Sequence, residues 1–289
     1  MNINKELEKI KNSEFILSGG IGIIISHNED TIYKLLFFET AYLNNIDMYN
    51  KIKDKIDVVD LKGYFVHSDI YISNNSEEQI KSKLDKVYKD ELYKLYLKNK
   101  NNIKLKNGYL YIYVLKYEKM NNNCYHLLKT ILDKSNHDNI EEFDQLFSFF
   151  IVWICNVIYY LNTQLNVYHN DLKLDNILIK QKQDKTKITK IKINNIYLYN
   201  RTMYEFYLND FDMSLGIKCD NDFNKIKSSL NKLFHNKRQN KFIKYIFGKL
   251  NSINDETEIF DKWLNKSTLF QHVTTNNIIN EFLNETTFK

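Results

Sequence analysis

A twelve-residue stretch, VYHNDLKLDNIL at residues 167–178, gathers several polar side chains directly after a long apolar segment. His169, Asp171, Lys173 and Asn176 fall within eight positions of it. A carboxylate can orient a hydroxyl group or accept its proton, and an ammonium group can neutralise negative charge on a reacting group. Asp and Asn are also frequent turn formers, so the stretch predicts either a polar turn or chemistry on a charged substrate.

Two features nearer the N-terminus would suit a phosphate group. The turn at residues 19–22, Gly-Gly-Ile-Gly, lies between apolar, β-branched segments that predict strands. Glycine lets backbone N–H groups approach a phosphate closely, because no Cβ is in the way. Lys34 follows on a later predicted strand, where its ammonium group would be a fixed positive charge. An ordinary hairpin turn and a surface lysine are the alternatives that these residues leave open.

The polar stretch resembles the catalytic loop of protein kinases, whose pattern is H-R-D-L-x-x-x-N. Four further segments follow the order of the family's motifs. Residues 210–212, Asp-Phe-Asp, resemble D-F-G, and Gly20-Ile21-Gly22 resembles the start of G-x-G-x-x-G. Lys34 is placed like the lysine of V-A-I-K, and Glu39 like the helical glutamate that pairs with it. The resemblance spans about residues 13–230.

The resemblance implies a role for eight residues in binding ATP and Mg²⁺ or in phosphoryl transfer. Catalysis would fall to Asp171 and Lys173, Mg²⁺ to Asn176 and Asp210, and ATP to Gly20, Gly22, Lys34 and Glu39. The segment DFNKI, at residues 222–226, resembles the start of the helix whose Asp braces the catalytic loop. Glu39 comes only five residues after Lys34, which is closer than the family usually allows.

The implied activity is that of an ATP- and Mg²⁺-dependent serine/threonine protein kinase, similar to the divergent kinases of poxviruses and other large DNA viruses. Proline is absent, so the A-P-E motif is missing, and only 12 positions separate Asp210 from Asp222. That removes the usual platform for a peptide substrate. A small-molecule kinase of the aminoglycoside or choline type, or a pseudokinase that serves as a binding module, are the alternatives. Lys173 favours a protein kinase.

The predicted fold is α+β, with a two-lobed, kinase-like arrangement of a strand-rich N-lobe at residues 1–118 and a shortened, helical C-lobe at 119–289. Strands are predicted within residues 13–38, 58–73 and 107–117, and helices at 39–52, 76–98, 123–134, 140–162, 221–236 and 239–250. Ser76 and Gln79 form a capping box that begins the helix at 76. Alternation in residues 188–199 and 204–211 predicts a hairpin.

Composition bounds the remaining expectations. The net charge of +5 comes from dispersed Lys, with Arg201 and Arg238 as the only arginines, so no nucleic-acid partner is expected. Three widely spaced cysteines favour a reducing, cytoplasmic compartment, and the charged N-terminus does not resemble a signal peptide. The apolar segment at 146–161 is too short to span a bilayer and predicts a buried helix. The kinase resemblance, rather than composition, implies the expected partner, a protein that offers a Ser or Thr hydroxyl group.

Overall fold

The computed structural model describes residues 2–72, 76–88, 90–134, 140–184, 186–193, 196–214 and 222–236. Helices and antiparallel sheets alternate along the chain, so the α+β class is confirmed. The chain forms two compact units. The first unit comprises residues up to 51 and residues 59–120, and the second comprises residues 52–58 with the described residues from 121 onward. The division after Met120 lies two residues beyond the predicted boundary, and the transfer of residues 52–58 to the second unit was not predicted.

The first unit contains five strands and four helices among its described residues. They are α1 (Ile3–Lys11), β1 (Glu14–Ser18), β2 (Gly22–Ser26), β3 (Thr31–Leu36), α2 (Glu39–Ile52), β4 (Leu61–Tyr71), α3 (Glu77–Val87), α4 (Asp90–Asn99) and β5 (Tyr109–Glu118). The strands form one antiparallel sheet in the order β1-β2-β3-β5-β4. The predicted strands are confirmed, and α1 is an additional helix that the sequence patterns did not predict.

The strand register decides which face of this sheet carries Lys34. Lys34 lies opposite Ile24 of β2 and Leu115 of β5, and residues that face each other across strands share a face. Helix α2 packs on this same face, where Tyr117 donates a hydrogen bond of 3.0 Å to Asn45. The opposite face forms the core with α1, α3 and α4, through Tyr33, Leu35, Phe65, Ile112, Val114, Ile10, Ile80, Leu84, Leu92, Leu95 and Tyr96. Both faces of the sheet are therefore covered by helices.

A buried carboxylate fastens α1 to the core face of the sheet. Glu6 accepts hydrogen bonds from the Tyr33 hydroxyl at 2.6 Å, Lys9 at 2.8 Å and Lys116 at 3.2 Å. Burial alone would raise the pKa of Glu6, but these hydrogen bonds lower it to about 2. The carboxylate therefore stays charged and paired at neutral pH, and it anchors the helix next to the strand that carries Lys34.

The segment after β4 contains two helices where one was predicted. The capping box is confirmed, because Ser76 accepts from the Gln79 backbone and Gln79 accepts from the Ser76 backbone. Helix α3 ends at Val87, where Tyr88 is buried with an extended backbone, φ −118° and ψ −151°. Helix α4 then begins at Asp90 with acidic residues in its first turn, which favours a helix start. The apolar periodicity continues across the break, so it did not reveal the division.

The second unit combines helices with two small sheets. Its described elements are β6 (Asn122–Asn123), α5 (Cys124–Lys134), α6 (Ile140–Tyr159), a π-helical turn (Tyr160–Gln164), a 3₁₀ turn (Leu174–Asn176), β7 (Ile177–Gln181), β8 (Thr189–Ile193), β9 (Ile196–Asn200), β10 (Tyr204–Leu208), a second 3₁₀ turn (Phe211–Met213) and α7 (Asp222–Asn236). One sheet has three strands in the order β10-β7-β6, and β8 and β9 pair separately. The predicted helix at 239–250 lies outside the described residues.

The predicted hairpin of residues 188–199 and 204–211 requires a correction. Strands β8 and β9 pair with each other within residues 189–200, and β10 pairs with β7 instead. Lys182 closes the base of the hairpin, because its ammonium group donates to the carbonyls of Lys187 at 3.1 Å and Asn200 at 2.9 Å. The β7–β10 pairing joins the segment after the catalytic-loop motif to the segment before Asp210.

The apolar helix of the second unit is the one membrane candidate among the described residues. The segment Gln145–Gln164 extends beyond the apolar stretch at 146–161 that was expected to be too short, and it is long and apolar enough to cross a membrane. Within it, 76% of the apolar 18-residue window is buried inside the protein. Core helices of soluble proteins meet the same criterion, so its length and composition are weak evidence.

The segment at 52–58 contributes a carboxyl group with a raised pKa to the second unit. The Leu208 amide donates to the Asp57 carbonyl at 3.1 Å, and Val58 forms a bridge with Leu208. Burial, and to a smaller extent the nearby negative charge of Glu205, raise the pKa of the Asp57 carboxyl from 3.8 to about 6. The folded protein therefore holds this proton more tightly than the unfolded chain.

We expect Asp57→Asn to remove a pH-dependent loss of stability. A carboxyl group whose pKa rises on folding stabilises the fold below its unfolded pKa, and this contribution is lost as the pH rises from 3.8 through about 6. The free energy of unfolding of the variant minus that of the wild type should therefore be larger at pH 7.5 than at pH 4. We expect this difference to grow by at most about 3 kcal/mol between the two pH values. Urea unfolding at the two pH values measures this, with Asp54→Asn at an exposed neighbouring position as the control. A pH-independent difference between Asp57→Asn and wild type would contradict it.

Candidate active site

Three of the residues predicted for catalysis and metal binding meet at one carboxylate. The Lys173 ammonium group lies 2.8 Å from Oδ2 of Asp171. The Asn176 side-chain nitrogen donates to the same oxygen at 3.1 Å and to the Asp171 carbonyl at 2.8 Å. The Asp171 side chain remains 34% exposed, so a substrate hydroxyl group can reach it. Lys173 and Asn176, which follow Asp171 by two and five residues in the sequence, are therefore in direct contact with it.

Alternating burial produces this geometry. Leu172 and Leu174 are fully buried, whereas the side chains of Asp171 and Lys173, which alternate with them along the chain, remain partly accessible. The 3₁₀ turn at residues 174–176 follows, and in it the backbone N–H group of Asn176 donates to the backbone carbonyl of Lys173 at 3.0 Å. The apolar residues fix the loop to the core, so the polar residues are held on its accessible side.

Asp222, the first residue of α7, holds the start of the loop. It is fully buried, and its two carboxylate oxygens accept from the backbone amides of His169 at 2.9 Å and Asn170 at 2.8 Å. Asn170 has a left-handed backbone, with φ 63°, which Asn tolerates better than most residues. The contact that the sequence resemblance implied for Asp222 is present.

The strand pair β7–β10 brings the predicted metal motif to the same place. The backbone N–H group of Asn209 donates to the backbone carbonyl of Asn176 at 3.1 Å, and Nε2 of His169 lies 2.9 Å from the backbone carbonyl of Asn209. The rings of His169 and Phe211 are 5.0 Å apart. Asp210 follows Asn209 with a left-handed backbone, φ 65° and ψ 63°. Asn176 and Asp210, the two predicted magnesium ligands, therefore lie on adjoining, hydrogen-bonded segments.

The oxygen donors of Asn176 and Asp210 are of the kind that Mg²⁺ prefers. Among the described residues, no group of three or more His, Cys, Asp or Glu is arranged as a metal site. Mg²⁺ is often held by one or two protein oxygens together with phosphates and water. The Asn176 side-chain nitrogen is occupied by Asp171, so its side-chain oxygen is the atom that could serve as a ligand, and Asp210 could contribute a carboxylate oxygen.

Asn170 also connects the loop at residues 169–176 to the segment after Asp210. Its side-chain nitrogen donates to the Met213 carbonyl at 3.2 Å. The Ser214 hydroxyl group lies 3.5 Å from the His169 carbonyl, at the outer limit of a hydrogen bond. An uncharged amide therefore makes this connection at the position where the kinase pattern has Arg.

The glycine turn between β1 and β2 is closed by a hydrogen bond of 2.8 Å from the Gly19 amide to the Gly22 carbonyl. A Cβ on Gly22 would lie 2.6 Å from the Leu36 side chain and 3.0 Å from the Leu35 carbonyl, so close packing against β3 requires glycine there. A Cβ on Gly20 would meet nothing within 4 Å. Of the two glycines predicted to bind ATP, Gly20 thus faces open space and Gly22 has a packing role.

Lys34 and Glu39 are not brought together as the sequence predicted. Glu39 is the first residue of α2, and its carboxylate pairs with Lys106 at 2.7 Å. Lys34 lies near the middle of β3 and is almost fully buried. Because β3 ends at Leu36, Glu39 falls at the start of the helix, where Lys106 of the turn before β5 can reach it. Lys106 was not singled out from the sequence, since nothing local distinguishes it from other lysines.

The described cysteines do not offer an alternative nucleophile. Cys124 and Cys155 are buried free thiols. Burial raises the pKa of Cys155 to about 12 and raises that of Cys124 as well. Both therefore remain protonated thiols at neutral pH, which excludes them as thiolate catalysts.

Comparisons with known proteins add no family to these observations, because no protein-family model and no curated protein matches the sequence. The functional assignment therefore depends on the residues of the candidate site and their geometry.

Proposed function

We propose that this protein is an ATP- and Mg²⁺-dependent phosphotransferase that acts as a serine/threonine protein kinase. The observation that carries the proposal is the contact of Lys173 and Asn176 with the Asp171 carboxylate, at 2.8 and 3.1 Å. Phosphoryl transfer requires mainly charge stabilisation and positioning, and this cluster supplies both. The acceptor would be a Ser or Thr hydroxyl group of a protein in the cytoplasm.

Each residue of the cluster has a distinct task in this reaction. Asp171 would orient the acceptor hydroxyl group and take its proton. Lys173 would stabilise the negative charge of the transferred phosphoryl group while holding Asp171 in place. Asn176 and Asp210 would hold Mg²⁺, which neutralises phosphate charge when bound. Lys34 would add a fixed positive charge for the nucleotide phosphates.

The order of elements supports a kinase-like fold with two lobes. In the first unit, a glycine turn joins β1 to β2, the next strand carries Lys34, and a helix follows directly. In the second unit, the catalytic-loop motif precedes β7, and β10 leads into the metal motif. This is the sequence of features that the resemblance implies, and the units would correspond to an N-lobe and a C-lobe.

Binding of Mg·ATP should stabilise the protein. A ligand at about 100 times its Kd adds about 2.7 kcal/mol to the free energy of unfolding. We expect Mg·ATP to raise the Tm, ATP with EDTA to raise it less, and Asp210→Asn to abolish the Mg²⁺-dependent part. Differential scanning fluorimetry measures these shifts, with Mg²⁺ alone as the control. An unchanged Tm at millimolar Mg·ATP would contradict nucleotide binding.

Radiolabel transfer from ATP distinguishes the acceptor classes. Wild-type protein should label Ser or Thr in a mixture of acidic and basic model proteins, and hydrolysis of the labelled protein should yield phosphoserine or phosphothreonine. Transfer to sugars, aminoglycosides or choline but not to proteins would instead identify a small-molecule kinase. Transfer to neither class would exclude the proposed enzyme.

One observation favours the pseudokinase as a second candidate function. Glu39, the residue expected to hold Lys34 for phosphate binding, is paired with Lys106 instead. Asp212 also replaces the glycine of D-F-G. A binding module of this kind would show no rise in Tm at millimolar Mg·ATP and no transfer in the radiolabel assay, so the two measurements together separate it from an active kinase.

A further inference from the structure

The chain between β4 and β5 reaches back to the glycine turn. Asn99, the last residue of α4, donates through its side-chain nitrogen to the Gly20 carbonyl at 3.2 Å. The same nitrogen lies 3.0 Å from the Leu95 carbonyl within its own helix. A single amide thus joins a helix end to a turn that is 79 residues away in sequence. Local sequence patterns could not have revealed the contact.

The helix end that carries Asn99 has a fixed position on the sheet. Leu95 and Tyr96 of α4 are buried in the same core cluster as Ile23 and Ile25 of β2, the strand that follows the glycine turn. Lys100 pairs with Glu77 at the start of α3 at 2.9 Å, which connects the two helices of the segment. Packing of α4 in the core therefore holds Asn99, the hydrogen-bond donor, in place. The acceptor, the Gly20 carbonyl, belongs to an exposed residue of the glycine turn.

The hydrogen bond also fixes the orientation of a second backbone group. The peptide bond between Gly20 and Ile21 is trans and planar, so its C=O and N–H groups point in opposite directions. Holding the Gly20 carbonyl toward α4 points the Ile21 N–H group away from α4. A Cβ added at Gly20 would meet nothing within 4 Å, so the turn itself is not crowded by neighbouring side chains. A phosphate oxygen could approach the turn, because oriented backbone N–H groups form anion-binding turns.

We propose that Asn99 is a positioning residue for the nucleotide: it orients the Gly20–Ile21 peptide so that the Ile21 N–H group is set to bind a phosphate oxygen. This rests on the proposed ATP-dependent function and assigns part of its phosphate binding to the α3–α4 segment. The residue acts through the backbone of the turn, and it would alter nucleotide affinity without taking part in phosphoryl transfer. A pre-oriented turn binds more tightly because less conformational freedom is lost on binding.

Asn99→Ala tests the proposal on the full-length protein, with Asn102→Ala as the matched control three residues away on the exposed surface. We expect Asn99→Ala to raise the Kd and the KM for Mg·ATP by about three- to tenfold with kcat nearly unchanged, since it removes one hydrogen bond. Asn99→Gln, which keeps an amide donor, should recover part of the affinity. Asn102→Ala should match wild type in both quantities.

Hydrogen exchange in the absence of nucleotide provides a readout that does not depend on activity. The backbone amides of residues 19–22 should exchange faster in Asn99→Ala than in wild type or Asn102→Ala, because the turn loses its tether. Equal exchange in all three proteins, or faster exchange with an unchanged Kd for Mg·ATP, would overturn the positioning role alone. Failure of wild-type protein to bind Mg·ATP at all would overturn the positioning role together with the proposed function.

Discussion

Asp171→Asn is expected to lower kcat for phosphoryl transfer by about 10²–10⁴-fold while leaving the fold intact. The amide has the shape of the carboxylate but cannot accept the proton of the substrate hydroxyl group. It also lacks the negative charge that holds the Lys173 ammonium group at 2.8 Å. The KM for Mg·ATP should change little, because residues other than Asp171 are proposed to bind the nucleotide. Single-turnover transfer of labelled phosphate measures the rate of the chemical step.

Asp175→Asn is the matched control for this variant. It makes the same chemical change four residues away in the same loop, at an exposed side chain. We expect its rate to remain within about threefold of wild type, as is usual for surface substitutions. Equal rates for Asp171→Asn and wild type would remove Asp171 from the reaction, and equal losses in both variants would attribute the effect to charge in the loop as a whole.

The polar cluster at residues 169–176 could be recognised from sequence because its members lie close together in the chain. Leu172 and Leu174 are buried and alternate with partly accessible polar residues, so neighbours in sequence are also neighbours in space, although the contacts of Lys173 and Asn176 with Asp171 were not themselves predicted. The capping box at Ser76 was predictable for the same reason, since both of its hydrogen bonds span three residues. Where a contact is made within one turn of the chain, residue types and spacing can be sufficient.

Contacts between distant segments were predicted less well. Glu39 pairs with Lys106, 67 residues away, rather than with Lys34. Strand β10 pairs with β7 rather than with the neighbouring hairpin, although both alternate in hydrophobicity. Alternation shows that a segment suits a sheet with one buried face, but it does not select the partner strand. Asn99 belongs to the same class, because an asparagine at a helix end has many local interpretations.

Asp222→Asn is expected to lower the free energy of unfolding by about 2–4 kcal/mol. In the molecules that remain folded, we also expect kcat to be about 10²-fold lower than in wild type. The carboxylate accepts from two backbone amides, those of His169 and Asn170, in a site without solvent access. An amide has one accepting oxygen, so one buried N–H group would lose its partner and face another donor. The start of the catalytic loop would then lose the contact that fixes its position relative to Asp171.

Asp90→Asn is the control, because it makes the same substitution at the first residue of another helix. Asp90 is half-exposed and pairs with Lys94 at 3.2 Å, and exposed ion pairs of this kind contribute at most about 1 kcal/mol. Urea unfolding gives the stability of both variants, and transfer rates measured well below the unfolding midpoint report on the folded fraction. We expect Asp90→Asn to remain within about 1 kcal/mol of wild type with an unchanged rate. If Asp222→Asn behaved in the same way, the backbone contacts of Asp222 could not be what holds the catalytic loop in place.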